Sequence, residues 1–273
     1  MRAQAGAIAA IIFILVIVAV IFLFLPQVFR PVIPGITVTL SYEPSVVSTS
    51  RTTIEAELSN QGDWDALEVE AWLRGLSSEW KIDGEAFEGK GLELGKIPRG
   101  EEKRASWKLT APEKFVEFDY PFEVLVRFNY TSVYDALVEV VSPIYALETN
   151  KTGAVLQERT TKGPLLVSLQ VPEEGLIVRA NRVRVNLTLT NVGGGGFEGR
   201  FVHVVDSKGI ECSPTLVEFG VVDRKVKDKA SVECLIEAGE VEDSKQVEVK
   251  VWFNYKYYII KEGRIKVVPK EKA

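Results

Sequence analysis

The sequence predicts an all-β fold behind one apolar helix: two tandem antiparallel β-sandwiches following one N-terminal transmembrane α-helix. Three observations carry this expectation. The stretch Ala5 to Leu25 is uncharged over 21 residues. Beyond it, apolar and polar residues alternate with period two, the pattern of half-buried strands. The second half of the chain then repeats the first in recognisable blocks.

The apolar stretch reads AGAIAAIIFILVIVAVIFLFL, and 15 of its residues are Ile, Leu, Val or Phe. As a helix it is about 31 Å long, matching about 30 Å of bilayer hydrocarbon. A cleaved secretory signal has a shorter apolar core and a small-x-small site after it. Here Pro26-Gln27-Val28-Phe29-Arg30 follows instead, so residues 1–30 read as a retained transmembrane helix. Pro31 and Pro34 make residues 31–34 a stiff, Pro-rich neck. Arg2 and the α-amine flank one side and Arg30 the other, a slight charge bias. The β-patterned bulk, its sequons and its cysteine pair decide the orientation. The expectation is a single-pass protein of the cell membrane, with the N-terminus cytoplasmic and the C-terminal domains extracellular. Its first partner is the lipid bilayer, through Ala5–Leu25.

The first sandwich is expected over residues 35–146. Ile36-Thr37-Val38-Thr39-Leu40 alternates as a strand does. Ile54, Ala56 and Leu58 alternate with charged neighbours, and Asn60-Gln61-Gly62-Asp63 is a turn signal. Leu67 to Leu73, Ala105 to Leu109 and Phe122 to Tyr130 are further strands, and Val138 with Val140 marks a closing one. Frequent strands, no helical period and regular turn signals indicate an antiparallel sandwich. A polar, turn-rich linker is expected at 147–163, and the second sandwich at 164–268 before a short tail, 269–273.

That second sandwich reads as a copy of the first. Leu92-Glu93-Leu94-Gly95 matches Val217-Glu218-Phe219-Gly220, and Phe128-Asn129-Tyr130 matches Phe253-Asn254-Tyr255, both at a spacing of 125 residues. Leu58-Ser59-Asn60-Gln61-Gly62 matches Leu189-Thr190-Asn191-Val192-Gly193 at a spacing of 131. Tyr255 to Ile260 is largely apolar on both faces, which predicts contact with the linker or the other half.

These blocks resemble the CARDB-like and related immunoglobulin-like domains common in archaeal cell-surface proteins. The resemblance rests on Leu58 to Gly62 with Leu94-Gly95, and on Leu189 to Gly193 with Phe219-Gly220. It implies an extracellular sandwich used in adhesion, spacing or complex assembly, with protein or glycan partners and no active site. The extreme N-terminus, Arg2-Ala3-Gln4-Ala5-Gly6-Ala7, resembles the class III signal of archaeal type IV pilin-like proteins. That resemblance implies processing between Ala3 and Gln4 and self-association in a filament. The acidic residue many such pilins carry near the start of the helix is absent here; Ile8 stands in its place.

Composition narrows the chemistry. A net charge of −5 with both signs interspersed lacks the basic stripe of a nucleic-acid surface. His203 is the single histidine; Asp206 and Ser207 are near it, but no nucleophile–base–orienter motif is present. No HExxH or CxxC appears, so no catalytic residue, metal ligand or cofactor site is expected. Gly193 to Gly196 follows a strand and precedes another, which makes it a turn rather than a phosphate loop.

Four sets of candidate residues remain. Cys212 and Cys234 are a candidate disulfide outside the cell, with two buried thiols as the alternative. Asn129, Asn150 and Asn186 head Asn-x-Thr sequons and are candidate glycosylation sites. Trp72 and Trp252 fall on the polar side of their strands, where a Trp covers a junction or meets a partner. Ala3 and Gln4 are the processing candidates.

Overall fold

The computed structural model describes residues 35–205, 209–222, 225–226 and 228–270. The expected spanning segment Ala5–Leu25, the Pro-rich neck and the processing pair Ala3 and Gln4 lie outside the described residues. Among the described residues no helix is long and apolar enough to cross a membrane. They belong to one compact unit, mostly strand and mostly antiparallel.

The first half carries β1 (Ile36–Tyr42), β2 (Ser45–Val47), β3 (Arg51–Asn60), β4 (Ala66–Arg74), β5 (Lys81–Ile82), β6 (Glu85–Ala86), β7 (Lys90–Ile97), β8 (Glu102–Thr110) and β9 (Phe118–Val141). A short helix, α1 (Pro143–Thr149), follows. Ser142 caps it, its hydroxyl accepting from the Tyr145 amide, and Asn150 ends it in the left-handed region at φ 56°. The second half carries β10 (Ala154–Thr160), β11 (Leu165–Gln170), β12 (Arg182–Asn191), β13 (Gly196–Phe197), β14 (Phe201–Val205), β15 (Ile210–Ser213), β16 (Leu216–Glu218), β17 (Val221–Val222), β18 (Lys225–Val226), β19 (Lys229–Glu237) and β20 (Ser244–Val268).

Two smaller sheets, ordered β1-β3-β8-β5-β6 and β11-β12-β19-β15, accompany a nine-stranded sheet whose main path is β16-β14-β20-β9-β4-β7. The expected break between Tyr130 and Val138 does not occur. Phe118 to Val141 is one strand of 24 residues, antiparallel to β20 along its whole length. At about 3.4 Å per residue the pairing is roughly 80 Å long. The even positions of β9 alternate inward without interruption: Phe122, Val124, Val126, Phe128 and Tyr130, then Ser132, Tyr134, Ala136, Val138 and Val140 are all buried. Ser132 is the one polar residue in this row. Here its hydroxyl is buried against the Tyr255 hydroxyl at 2.7 Å.

Each half therefore supplies a strand to the other. The start of β9 is paired with β4 and the end of β20. The end of β9 is paired with β10 and the start of β20. Ile259, Ile265 and Val267, late in the chain, are buried opposite first-half residues of β9. This accounts for the run Tyr255 to Ile260: its odd positions enter the shared core while its even positions stay on the sheet's outer face. The expected linker is largely structured, since it contains the end of α1 and all of β10.

Hydrogen bonds at the two Asn turns show how the halves correspond. The Gly62 amide donates to Asn60 Oδ1 and the Gly193 amide to Asn191 Oδ1, both at 3.2 Å. Four residues after each Asn, a backbone N–H donates to a tyrosine hydroxyl: Trp64 to Tyr130 at 3.3 Å and Gly195 to Tyr257 at 3.0 Å. A Cβ on Gly62 or Gly193 would collide with those hydroxyls. Tyr257, not Tyr255, thus plays the part of Tyr130. The repeated Phe-Asn-Tyr blocks place the last strand two residues away from this correspondence. A two-residue slip keeps every side chain on its own face, so alternation cannot detect it.

Cys212 on β15 and Cys234 on β19 are directly opposed, both buried, and bonded to each other across 22 residues of sequence. Closing a loop of this length stabilises by about 3 kcal/mol. Replacing both cysteines with Ser is expected to lower the melting temperature by roughly 10 °C, measured by calorimetry with and without reductant; reductant shifts only the parent chain. A second expectation follows from strand sharing. A fragment of residues 35–146 lacks β20 and leaves the inward face of β9 without its neighbour. It should show no cooperative thermal transition by circular dichroism, whereas the full chain unfolds sharply.

Candidate functional site

The outer face of the nine-stranded sheet carries the candidate site. Two apolar rows cross it. In one, Leu125 is flanked by Trp72 and Ile260; in the other, Trp252 is flanked by Val205 and Val133. Under the correspondence set by the Asn turns these rows are mates. Trp72 is 38% exposed; its Nε1 donates to Glu70 at 3.1 Å and its ring covers Gly91. Trp252 is half-buried, meets Trp64 edge-on with ring centroids 5.3 Å apart, and has Lys250 Nζ 6.0 Å from its ring centre. Trp252 thus joins the second half to the first.

Between the rows lies a groove of about 550 Å³. Its floor is the Asn129–Lys256 pair with Thr131 and Asn254 beside it. The Thr131 hydroxyl donates to Asn254 Oδ1 at 2.8 Å, and Asn129 Nδ2 donates to Glu68 at 2.6 Å. Asp65 and Leu67 form one wall. Glu198, Phe201, His203 and Leu216 form the other. The groove exists because both halves contribute to one sheet: Leu67 adjoins Asn129 across β4 and β9, and His203 adjoins Asn254 across β14 and β20. Sequence reading singled out Asn129 and His203 for other reasons. It missed the groove, because Leu67 and Phe201 are ordinary apolar residues until the two halves meet.

The carboxylates at the groove are matched. Asp65 pairs with Lys96 at 2.6 Å and accepts from the Arg99 amide; the Lys96 bond holds its carboxyl below the usual range. Glu198 stands 3.9 Å from Arg127. Beneath the floor, burial pushes the Tyr130 hydroxyl up to about 12 and raises that of Tyr255 too. Tyr257 is likewise pushed up by burial to about 12.

The three sequon asparagines sit differently. Asn129 is half-buried on the groove floor with its amide engaged. Asn150 is exposed at the end of α1, and Asn186 is exposed on β12. His203 is exposed on β14, while Asp206 and Ser207 lie outside the described residues. Among the described residues, no group of three His, Cys, Asp or Glu side chains is placed to hold a metal ion.

No family model matches the sequence, and no curated protein does. Solved structures give faint likenesses. The Pseudomonas fluorescens alkylpurine DNA glycosylase AlkC bound to DNA with an abasic site analogue is 14% identical, at a TM-score of 0.24, over 34% of this chain and 27% of that one. The bacterial hydrophobin BslA is 15% identical, at 0.20, over 34% and 80%. Red sea bream transglutaminase is 11% identical, at 0.25, over 87% and 31%. The chain spans about a quarter of the first and a third of the last. Scores this far below 0.5 carry no inference of kinship or activity.

The buried tyrosines set an alkaline limit. Their hydroxyl pKa values are raised by folding, so the unfolded chain sheds these protons first, near 10. Stability from this source is complete below pH 10 and is lost as pH rises through about 12. The melting temperature should hold steady up to about pH 9 and fall steeply above 10. Tyr257→Phe should flatten that fall, with phenolate absorbance near 295 nm reporting the titration.

Proposed function

We propose that this chain is a membrane-anchored, extracellular, non-catalytic protein whose tandem immunoglobulin-like sandwiches act in cell-surface structure, adhesion or assembly of a surface complex. The observation that carries the proposal is the continuous β9–β20 pairing. It joins the two halves without a hinge, so that a tethered chain presents one stiff body roughly 80 Å long. Rigid, strand-built joining of this kind suits a protein that presents both halves to a partner as one body.

Strand order supports the immunoglobulin-like reading. In each half a sheet of the type β1-β3-β8-β5 or β11-β12-β19-β15 accompanies strands of the type β7-β4-β9 or β16-β14-β20. Four strands of one sheet facing three of another would match the division of an immunoglobulin-like sandwich, with the two three-stranded sets merged here into the nine-stranded sheet. The disulfide supports an oxidising compartment, and Asn150 and Asn186 are exposed where a glycan has room. Ala5–Leu25 supplies the tether, holding the N-terminus in the cytoplasm.

Protease added to intact cells, followed by N-terminal sequencing of the membrane-bound remnant, tests the proposal. The expected outcome is loss of the β-domains from the cells and a remnant beginning at Met1 or Arg2. Protected β-domains would overturn the orientation. A mature chain beginning at Gln4 and recovered in sheared filaments would replace the tether with a pilin-like subunit.

A further inference from the structure

We propose that the groove over the Asn129–Lys256 pair binds a neutral oligosaccharide. The proposal deepens the adhesion reading above and rests on it for its biological setting. Size is the first argument: about 550 Å³ is within the usual range for small-ligand sites and suits two or three sugar rings. The walls are the second. Leu67 is 47% exposed on one side, and Phe201 and Leu216 are 37% and 41% exposed on the other. Apolar side chains on both sides of a narrow groove match the C–H faces of sugar rings, and an exposed Phe is large and rigid enough to stack on one.

The floor is the third argument. A sugar hydroxyl both donates and accepts, and the groove offers groups that do the same: two carboxamides and one hydroxyl on the floor, and the His203 imidazole on a wall. Among the described residues, Asn254 Nδ2 and the His203 ring nitrogens have no hydrogen-bond partner, and Asn254 Oδ1 is already oriented by Thr131. Charge is the fourth. Asp65 and Glu198 already face Lys96 and Arg127, and Lys256 shares an adjoining hollow with Glu68, Glu70 and Glu198. The groove thus presents no unmatched cluster that would select an ionic ligand.

Topology argues against an extended peptide. Such a peptide gains affinity by adding a strand to an open sheet edge. Both floor strands are already paired on both sides here, β9 by β4 and β20, and β20 by β9 and β14. Only side chains are available to a ligand, which is how a sugar is held.

The test is calorimetric titration of the purified full chain in detergent with mannotriose, cellotriose and chitotriose. At least one should bind saturably at one per chain. Phe201→Ala and Asn254→Ala should each weaken that binding about tenfold or more, with unchanged melting temperatures, and Lys81→Ala should leave it unaltered. Saturable binding by none of the three overturns the proposal, as does binding that survives both groove substitutions. A protein partner captured by crosslinking and lost in Phe201→Ala, with no trisaccharide bound, makes the groove a protein-docking surface and also overturns it. So does a glycan found covalently attached to Asn129. The titration is blind to which side of a membrane the chain faces, so its failure is separable from failure of the surface-protein reading.

Discussion

The pairing of β9 with β20 is the constraint on which the rest of the structure depends. Two strands of 24 and 25 residues run antiparallel, and each passes from its own half into the other. The inward side chains from Tyr120 to Val140 on β9 are all buried. Length matters here because strand pairing has no internal stopping point. It continues until a proline, a glycine cluster or a charged inward position interrupts it, and β9 has none after Pro121.

One consequence is mechanical. Sandwiches joined by a linker move independently unless a large apolar interface holds them. In this chain the would-be interface is a continuous hydrogen-bonded sheet with one connected hydrophobic core. The Trp64–Trp252 contact and the Ser132–Tyr255 hydrogen bond cross the same junction. A second consequence is chemical. The centre of the shared sheet gathers polar side chains from both halves, flanked by exposed apolar ones, and neither half alone has that combination.

The Asn turns show how much order follows from a few polar groups. Asn60 bonds the Trp64 and Ile97 carbonyls and the Gly62 amide. Asn191 bonds the Gly195 carbonyl, the Gly193 amide and the Tyr257 hydroxyl. Each turn ties a strand end to a tyrosine on the long pairing. Buried polar groups must be satisfied in this way, so these turns, more than the hydrophobic pattern, set where each half seats on the shared sheet.

Much of the fold is legible in the residues alone. Period-two alternation marked strand segments and their inward faces, because a buried face tolerates only apolar or satisfied side chains, but it did not show that Phe122–Tyr130 and Val138–Val140 are one strand. The two Asn turns were readable because Leu58 to Gly62 and Leu189 to Gly193 are similar short blocks. What the sequence could not decide is which strands pair, and at what register. Alternation is blind to a two-residue slip, and an inward Ser132 has no visible reason until Tyr255 arrives to accept or donate the buried hydrogen bond. Leu67, Phe201 and Asn254 are unremarkable in sequence for a related reason. They are separated by more than a hundred residues in part, and only the pairing of β9 with β20 brings them to one groove.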